Sequence, residues 1–203
     1  TFSPFSRSAE MPRYSVRPLG PDDFDLLMGL EAEMFGEDAD GTLGPYYVRL
    51  CCEVFGDESF LLEASGRPAG YLLSFTKGRS SYCTTLAVLP RFQGSRAVVQ
   101  LLKAYVQAIM HRADVCWFTV EPGNEAARAL HRVLGAQEVE TKPDYYGPGR
   151  SRILAKIDRS AFERLRHRFA RLGLVGSEAP RSGADPEAPE PEVNVVSGPE
   201  AWA

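Results

Sequence analysis

The chain has 203 residues, 44% hydrophobic and 25% charged, with a formal net charge of −4. This gives room for one domain with a hydrophobic core plus appendages, and no apolar run approaches the ~18 residues of a membrane span. Residues 176–203 hold six acidic side chains against Arg181 alone, so the remainder is close to neutral and lacks the basic excess of a nucleic-acid binder.

Residues 1–13 read as an N-terminal extension with no apolar signal core. Tyr14–Pro18 reads as a strand closed by Gly20-Pro21, and Asp22 and Asp23 open a helix through about Phe35, where Phe24, Leu27, Leu30 and Met34 stand near helical spacing. A loop over 37–44 precedes Pro45, which opens a second helix ending near Phe55. Phe60–Glu63 and Ala69–Phe75 flank Ser65-Gly66-Arg67 as a β-hairpin, and Tyr82–Leu89 is the next strand. After a glycine turn, Val98, Leu101, Leu102, Tyr105 and Ile109 share one face of a helix. Val115–Val120 is a further strand, stopped by Glu121-Pro122-Gly123. Asn124 then caps a helix through Leu134, with Gly135 as its stop. Strands at Glu138–Val139 and Ile153–Ile157 flank the turn-rich stretch 143–149.

Two appendages follow. Ser160 and Glu163 form a capping-box pattern opening a helix over 159–175, with Phe162, Leu165, Phe169 and Leu172 as its stripe. Its other face carries Arg164, Arg166, His167, Arg168 and Arg171. From residue 176 the Pro-, Glu- and Ala-rich composition reads as a disordered acidic tail. Cys51, Cys52, Cys83 and Cys116 form no CxxC pair and have no histidine at ligand spacing, so free thiols, a reducing cytoplasm and no metal are expected.

The chemistry is concentrated in two segments. LAVLPRFQGSRAVVQLL (Leu86 to Leu102) is a strand, a glycine turn and an amphipathic helix, an arrangement that can offer free N–H groups to a phosphate. CWFTVEPGNEAARALHRVLGA (Cys116 to Ala136) follows it. Together they resemble the acetyl-CoA-binding core of the GNAT superfamily of N-acetyltransferases, and the resemblance covers about Tyr14 to Ile157. It implies an α/β (α+β) GNAT fold over residues 14–158. The expected architecture is a mixed sheet of six to seven strands, about four flanking helices and one extra C-terminal helix.

The family turn is Gln/Arg-x-x-Gly-x-Gly/Ala. Here it reads Gln93, Gly94, Ser95, Arg96, Ala97, Val98, with Arg96 and Val98 where small residues are usual. Arg96 suits a phosphate by charge, or else obstructs close approach of a diphosphate. The family pattern Asn-x-x-Ala-x-x-Leu-Tyr-x-x-Leu-Gly-Phe matches through Asn124, Ala127, Leu130, Leu134 and Gly135, with His131 for Tyr and Ala136 for Phe. Asn124 and His131 stand about two turns apart on one helix face. The resemblance assigns pantetheine binding to the backbone of Leu86, Ala87 and Val88 and cofactor contact to the Asn124 amide. It assigns His131 as the acid that protonates the leaving thiolate, in imidazolium form near neutral pH. Tyr146, in Tyr145-Tyr146 before the last strand, is the alternative acid. For the general base, Tyr82, Cys83, Thr84 and Thr85 are poor candidates. Glu33 and Glu121 are the candidates, Glu31 and Glu37 are alternatives, and a water relay stays open.

Residues 46–70 resemble the diaminobutyrate acetyltransferases of ectoine synthesis in a Tyr-x-x-Leu-Cys run before an acidic stretch. This favours transfer of acetyl from acetyl-CoA to the primary amine of a small polar molecule, an amino acid or biosynthetic intermediate. Two alternatives stay open: a carrier-protein phosphopantetheine or larger acyl-CoA as donor, and a non-catalytic binding module. The basic C-terminal helix is a candidate dock for a carrier protein, and a homodimer is not excluded.

Overall fold

The structure, a computed structural model, describes residues 12–36, 43–93 and 96–175. Residues 1–11, the acidic tail, Glu37, and Gly94 and Ser95 of the turn lie outside the described residues.

The strands are β1 (Tyr14–Pro18), β2 (Phe60–Ala64), β3 (Arg67–Lys77), β4 (Ser80–Val88), β5 (Val115–Val120), β6 (Gln137–Lys142) and β7 (Arg152–Asp158). The helices are α1 (Phe24–Phe35), α2 (Pro45–Glu53), α3 (Arg96–Ile109), α4 (Glu125–Val133) and α5 (Arg159–Arg171). All seven strands join one sheet in the order β1-β2-β3-β4-β5-β7-β6. The mixed α/β order and the extra C-terminal helix are as expected from the sequence.

Local chemistry explains the left half of the sheet. Ser65 and Gly66 both take positive φ, 51° and 77°, the signature of a tight two-residue hairpin turn between β2 and β3. Side chains then alternate across the pleat. Leu61, Tyr71 and Leu73 pack with Leu27 and Leu30 of α1 and Cys51 of α2, while Leu62 and Leu72 pack with Leu101 and Tyr105 of α3 on the opposite face. A second hairpin turns at Gly78 between β3 and β4, so β4 begins at Ser80 rather than Tyr82. β6 likewise extends beyond the two residues legible in sequence, because its pairing with β7 and not its hydrophobicity defines it.

β4 and β5 are parallel, as strands joined through a helix such as α3 can be. They pair only at Ser80↔Val115, Ser81↔Cys116 and Tyr82↔Trp117. Beyond this, β4 runs on against β3 to Val88 and β5 runs on against β7 to Val120. The sheet therefore opens as a V, and the β5-facing edge of β4 from Cys83 has no ladder.

α5 closes the far side of that V. Phe169 and Leu174 are buried with Leu102 of α3 and Leu134 of α4, and Phe162 and Leu165 pack against the same cluster. Gly135 ends α4 at φ +76°, a left-handed conformation that favours glycine, and the Leu165 side chain packs over its Cα. Asp158, not Ser160, caps α5: its Oδ1 accepts the Ala161 N–H at 2.8 Å and the Ser160 hydroxyl at 2.7 Å. The helix starts directly off β7, two residues before a Ser160 cap would begin it. Arg159 donates to the carbonyls of Met110 and Ala113, 2.9 Å each, which anchors α5 at the C-terminal end of α3. Among the described residues no helix is long and apolar enough to cross a membrane, and all four cysteines are free.

Phe169→Ala is expected to cost about 3–5 kcal/mol by urea denaturation, against less than about 0.5 kcal/mol for the exposed Arg168→Ala. Equal, small losses would show that α5 does not seat on the domain.

Candidate active site

The V between β4 and β5 opens into a cavity of about 650 Å³. Cys83 to Leu86 of β4 form one wall and Phe118 to Glu121 of β5 form the other. Asn124 at the cap of α4, Leu130 and His131 of α4, Tyr146 of the loop after β6 and Arg152 at the start of β7 line it further. Leu102 and Val106 of α3 with Phe162 and Phe169 of α5 complete the apolar back. Four of the candidates read from sequence, Asn124, His131, Tyr146 and Glu121, thus converge on one space together with Leu86.

Asn124 has a double position. Its Oδ1 accepts the Ala127 N–H at 3.0 Å and caps α4, which leaves the amide NH₂ free of that duty on the cavity wall. Two turns on, the His131 ring lies 4.3 Å from the Phe118 ring, tilted by 50°. Its Nδ1 is buried without a hydrogen-bond partner. Desolvation is the larger influence and pulls its pKa down to about 4, opposed by the Glu138 carboxylate. The expected imidazolium is therefore corrected: His131 is neutral at pH 7, because the cleft is too dry for a charged ring.

Tyr146 is 55% exposed at the mouth, with the Arg152 guanidinium 5.0 Å above its ring. Arg152 reaches Glu121 as well, Nη2 to Oε1 at 3.0 Å. Glu33 is corrected: it does not line the cleft and instead pairs with Arg91 at 2.9 Å on the surface. The helix phase separates it from Glu31, two residues earlier, which is buried and accepts the Leu43 N–H at 2.8 Å through Oε2. Burial pushes the Glu31 carboxyl up, and its Oε1 has no partner.

On the donor side, Ala87 and Val88 are buried in the ladder with β3, and Gln93 Nε2 donates to the Val88 carbonyl at 3.1 Å. Arg96 is exposed at the first position of α3, Ala97 is buried, and Val98 packs among the apolar clusters on either side of that helix. These residues fit the pantetheine portion of coenzyme A: an unladdered strand edge, an adjacent amide and an apolar channel. The turn lacks two of the small residues of a diphosphate cradle and offers Arg96 in their place.

Sequence reading missed three residues at the cleft. Arg152 and Phe118 are two of them. The third, Tyr47, hydrogen-bonds Thr84 of the cavity wall, and burial pushes its phenol up. Only the bracketing of Arg152 by Tyr145-Tyr146 and the last strand could have singled it out.

Fold and cleft together define an acyl-CoA-dependent transferase architecture. The chain belongs to the GNAT acetyltransferase family, whose model matches residues 26–136. Among solved structures it is similar to Arabidopsis thaliana Naa50 in complex with a bisubstrate analogue, at 17% identity and TM-score 0.61, covering 71% of this chain and 98% of that one. It is similar to the diaminobutyrate acetyltransferase EctA from Paenibacillus lautus, in complex with L-2,4-diaminobutyric acid and coenzyme A, at 18% identity and TM-score 0.62, covering 72% of this chain and 95% of that one. It is also similar to the loading GNATL domain of CurA from Lyngbya majuscula, at 15% identity and TM-score 0.61, covering 72% and 98%. No curated protein sequence matches significantly.

The lowered His131 pKa has a sign that can be checked. Between the ordinary value of 6.5 and about 4 the unfolded chain takes up a proton that the folded chain refuses. This residue's contribution to stability is therefore full above pH 6.5 and is lost as pH falls toward 4. NMR titration of the ring should show a neutral imidazole at pH 6. A midpoint near 6.5 would mean that the cleft is wet.

Proposed function

We propose that this enzyme moves the acetyl group of acetyl-CoA to the primary amine of a small polar molecule, an amino acid or a biosynthetic intermediate, by direct attack within a ternary complex. The supporting observation is the V-shaped opening of β4 and β5, with Asn124, His131, Tyr146 and Glu121 on its walls. When bound, acetyl-CoA supplies an acetyl group activated as a thioester.

The residues divide the work. The Leu86 strand edge holds the pantetheine amides much as a further strand would, with the Asn124 amide beside it. Arg96 and the α3 N-terminus meet the phosphates. Glu121 takes the ammonium proton of the acceptor at the mouth, directly or through water, and frees the lone pair for attack. Tyr146 gives its phenolic proton to the departing sulfur. His131, neutral and tilted against Phe118, offers a ring N–H as a hydrogen-bond donor and needs no charge to do so.

A second reading is favoured by one observation, Arg96 and Val98 in the turn. It takes the donor to be the phosphopantetheine arm of a carrier protein, which has one phosphate in place of the diphosphate and would dock against the exposed arginines of α5.

Calorimetry with the full chain separates the two. The first reading expects micromolar binding of acetyl-CoA, amine-dependent release of coenzyme A, and a loss of about 10²–10⁴-fold in kcat for Tyr146→Phe. Binding of phosphopantetheine but not acetyl-CoA would move the assignment to the second.

A further inference from the structure

A second, polar cavity of about 370 Å³ adjoins the first. Its walls are the turn Glu121-Pro122-Gly123 ahead of α4 and the residues Gly149 to Arg152 that lead into β7. Glu121 and Arg152 line both spaces, so their ion pair is the partition between the cleft and this annex.

Arg152 is held unusually firmly for a residue at a mouth. Its side chain is 20% exposed, whereas that of its partner Glu121 is 62% exposed. Nη1 donates to the Ser151 carbonyl at 3.0 Å, Nη2 meets Glu121 at 3.0 Å, and the Tyr146 ring supports the guanidinium plane. Orientation and much of the desolvation are therefore in place before any ligand arrives. A guanidinium has five N–H donors, so these contacts leave donor capacity for a further planar anion. Arg150 also lines the annex.

An ion pair at a site boundary is the electrostatic complement of a zwitterion. An ammonium group can take the Glu121 side and an anion the Arg152 side, so each protein charge exchanges one partner for another of the same sign. We infer that the acceptor is an amino carboxylate whose carboxylate is anchored in the annex by Arg152, with Arg150 alongside, while its amine enters the cleft at Glu121. Arg152 is then a specificity-determining residue. This rests on the acetyl-transfer reading only for the role given to Glu121.

The test pairs each amino acid with the amine left by its decarboxylation. The pairs are L-2,4-diaminobutyrate with propane-1,3-diamine, L-ornithine with putrescine, and β-alanine with ethylamine, each titrated into the full chain carrying acetyl-CoA. At least one carboxylate-bearing member is expected to bind about tenfold or more tighter than its partner. Arg152→Gln should abolish that difference, and Arg152→Lys should keep part of it, because charge survives while the planar fork is lost. In turnover the discrimination should appear in KM rather than kcat. Thermal midpoints of the variants establish that they are folded, and Arg150→Gln reports on the annex without disturbing the Glu121 pair. Equal binding within every pair, no binding by any carboxylate-bearing member, or a discrimination that survives Arg152→Gln would overturn the inference. Selective binding of the carboxylate members without acetyl transfer would instead count against the proposed reaction and leave the annex assignment standing.

Discussion

The whole site depends on how few residues β4 and β5 share. Three register pairs join them, and then each strand follows its other neighbour, β4 along β3 and β5 along β7. A sheet cannot normally leave a strand edge unladdered in its middle, because buried N–H and C=O groups need partners. Here the unladdered edge lies on the wall of a cavity, where a ligand with its own amides can satisfy it. The apolar back from α3 and α5 then keeps that ligand's surroundings dry.

Dryness has a consequence for the proton transfers. The family position at which the sequence suggested an imidazolium acid holds a histidine packed on Phe118 with a buried, unpartnered Nδ1. A charged ring would be costly in such a place, and the Glu138 carboxylate, which opposes the shift, is the smaller influence. Tyr146 and Glu121 both lie exposed at the mouth. Arg152 links them, stacking on one and pairing with the other. The cleft is thus divided by solvation, with charged side chains at the rim and apolar ones inside.

Much of this was legible in the sequence where the signal was local. The hairpin at Ser65-Gly66, the Asn124 cap and the Gly135 stop depend on single-residue backbone preferences and emerged at the expected positions. The stripe on α3 followed from spacing alone. Less legible were features that arise only when distant segments meet. Glu31 and Glu33 are equivalent in composition, but only packing decides that one is buried and the other pairs with Arg91. β6 is mostly polar and exists through its ladder with β7. The cap of α5 moved from Ser160 to Asp158 because β7 delivers the chain directly into the helix. Arg152 stood out by its place between Tyr145-Tyr146 and the last strand alone, since its meaning lies in contacts with Glu121 and Tyr146, residues on either side of β6 in the chain.

α5 ties these observations together. The structural neighbours are nearly complete over a length that corresponds to 71–72% of this chain, so their shared fold accounts for little more than the sheet and its four helices. In this protein the added helix packs into the gap between α3 and α4, with Leu165 against Gly135 and Phe169 among Leu102 and Leu134. It adds Phe162 and Phe169 to the apolar lining that Leu102 and Val106 of α3 give the cavity. Its arginines face outward and do not enter the cavity, apart from Arg159 at the end of α3. The cleft therefore gains apolar lining at its back and gains charge only at its margins. That distribution suits a neutral thioester arm inside and a charged acceptor at the rim.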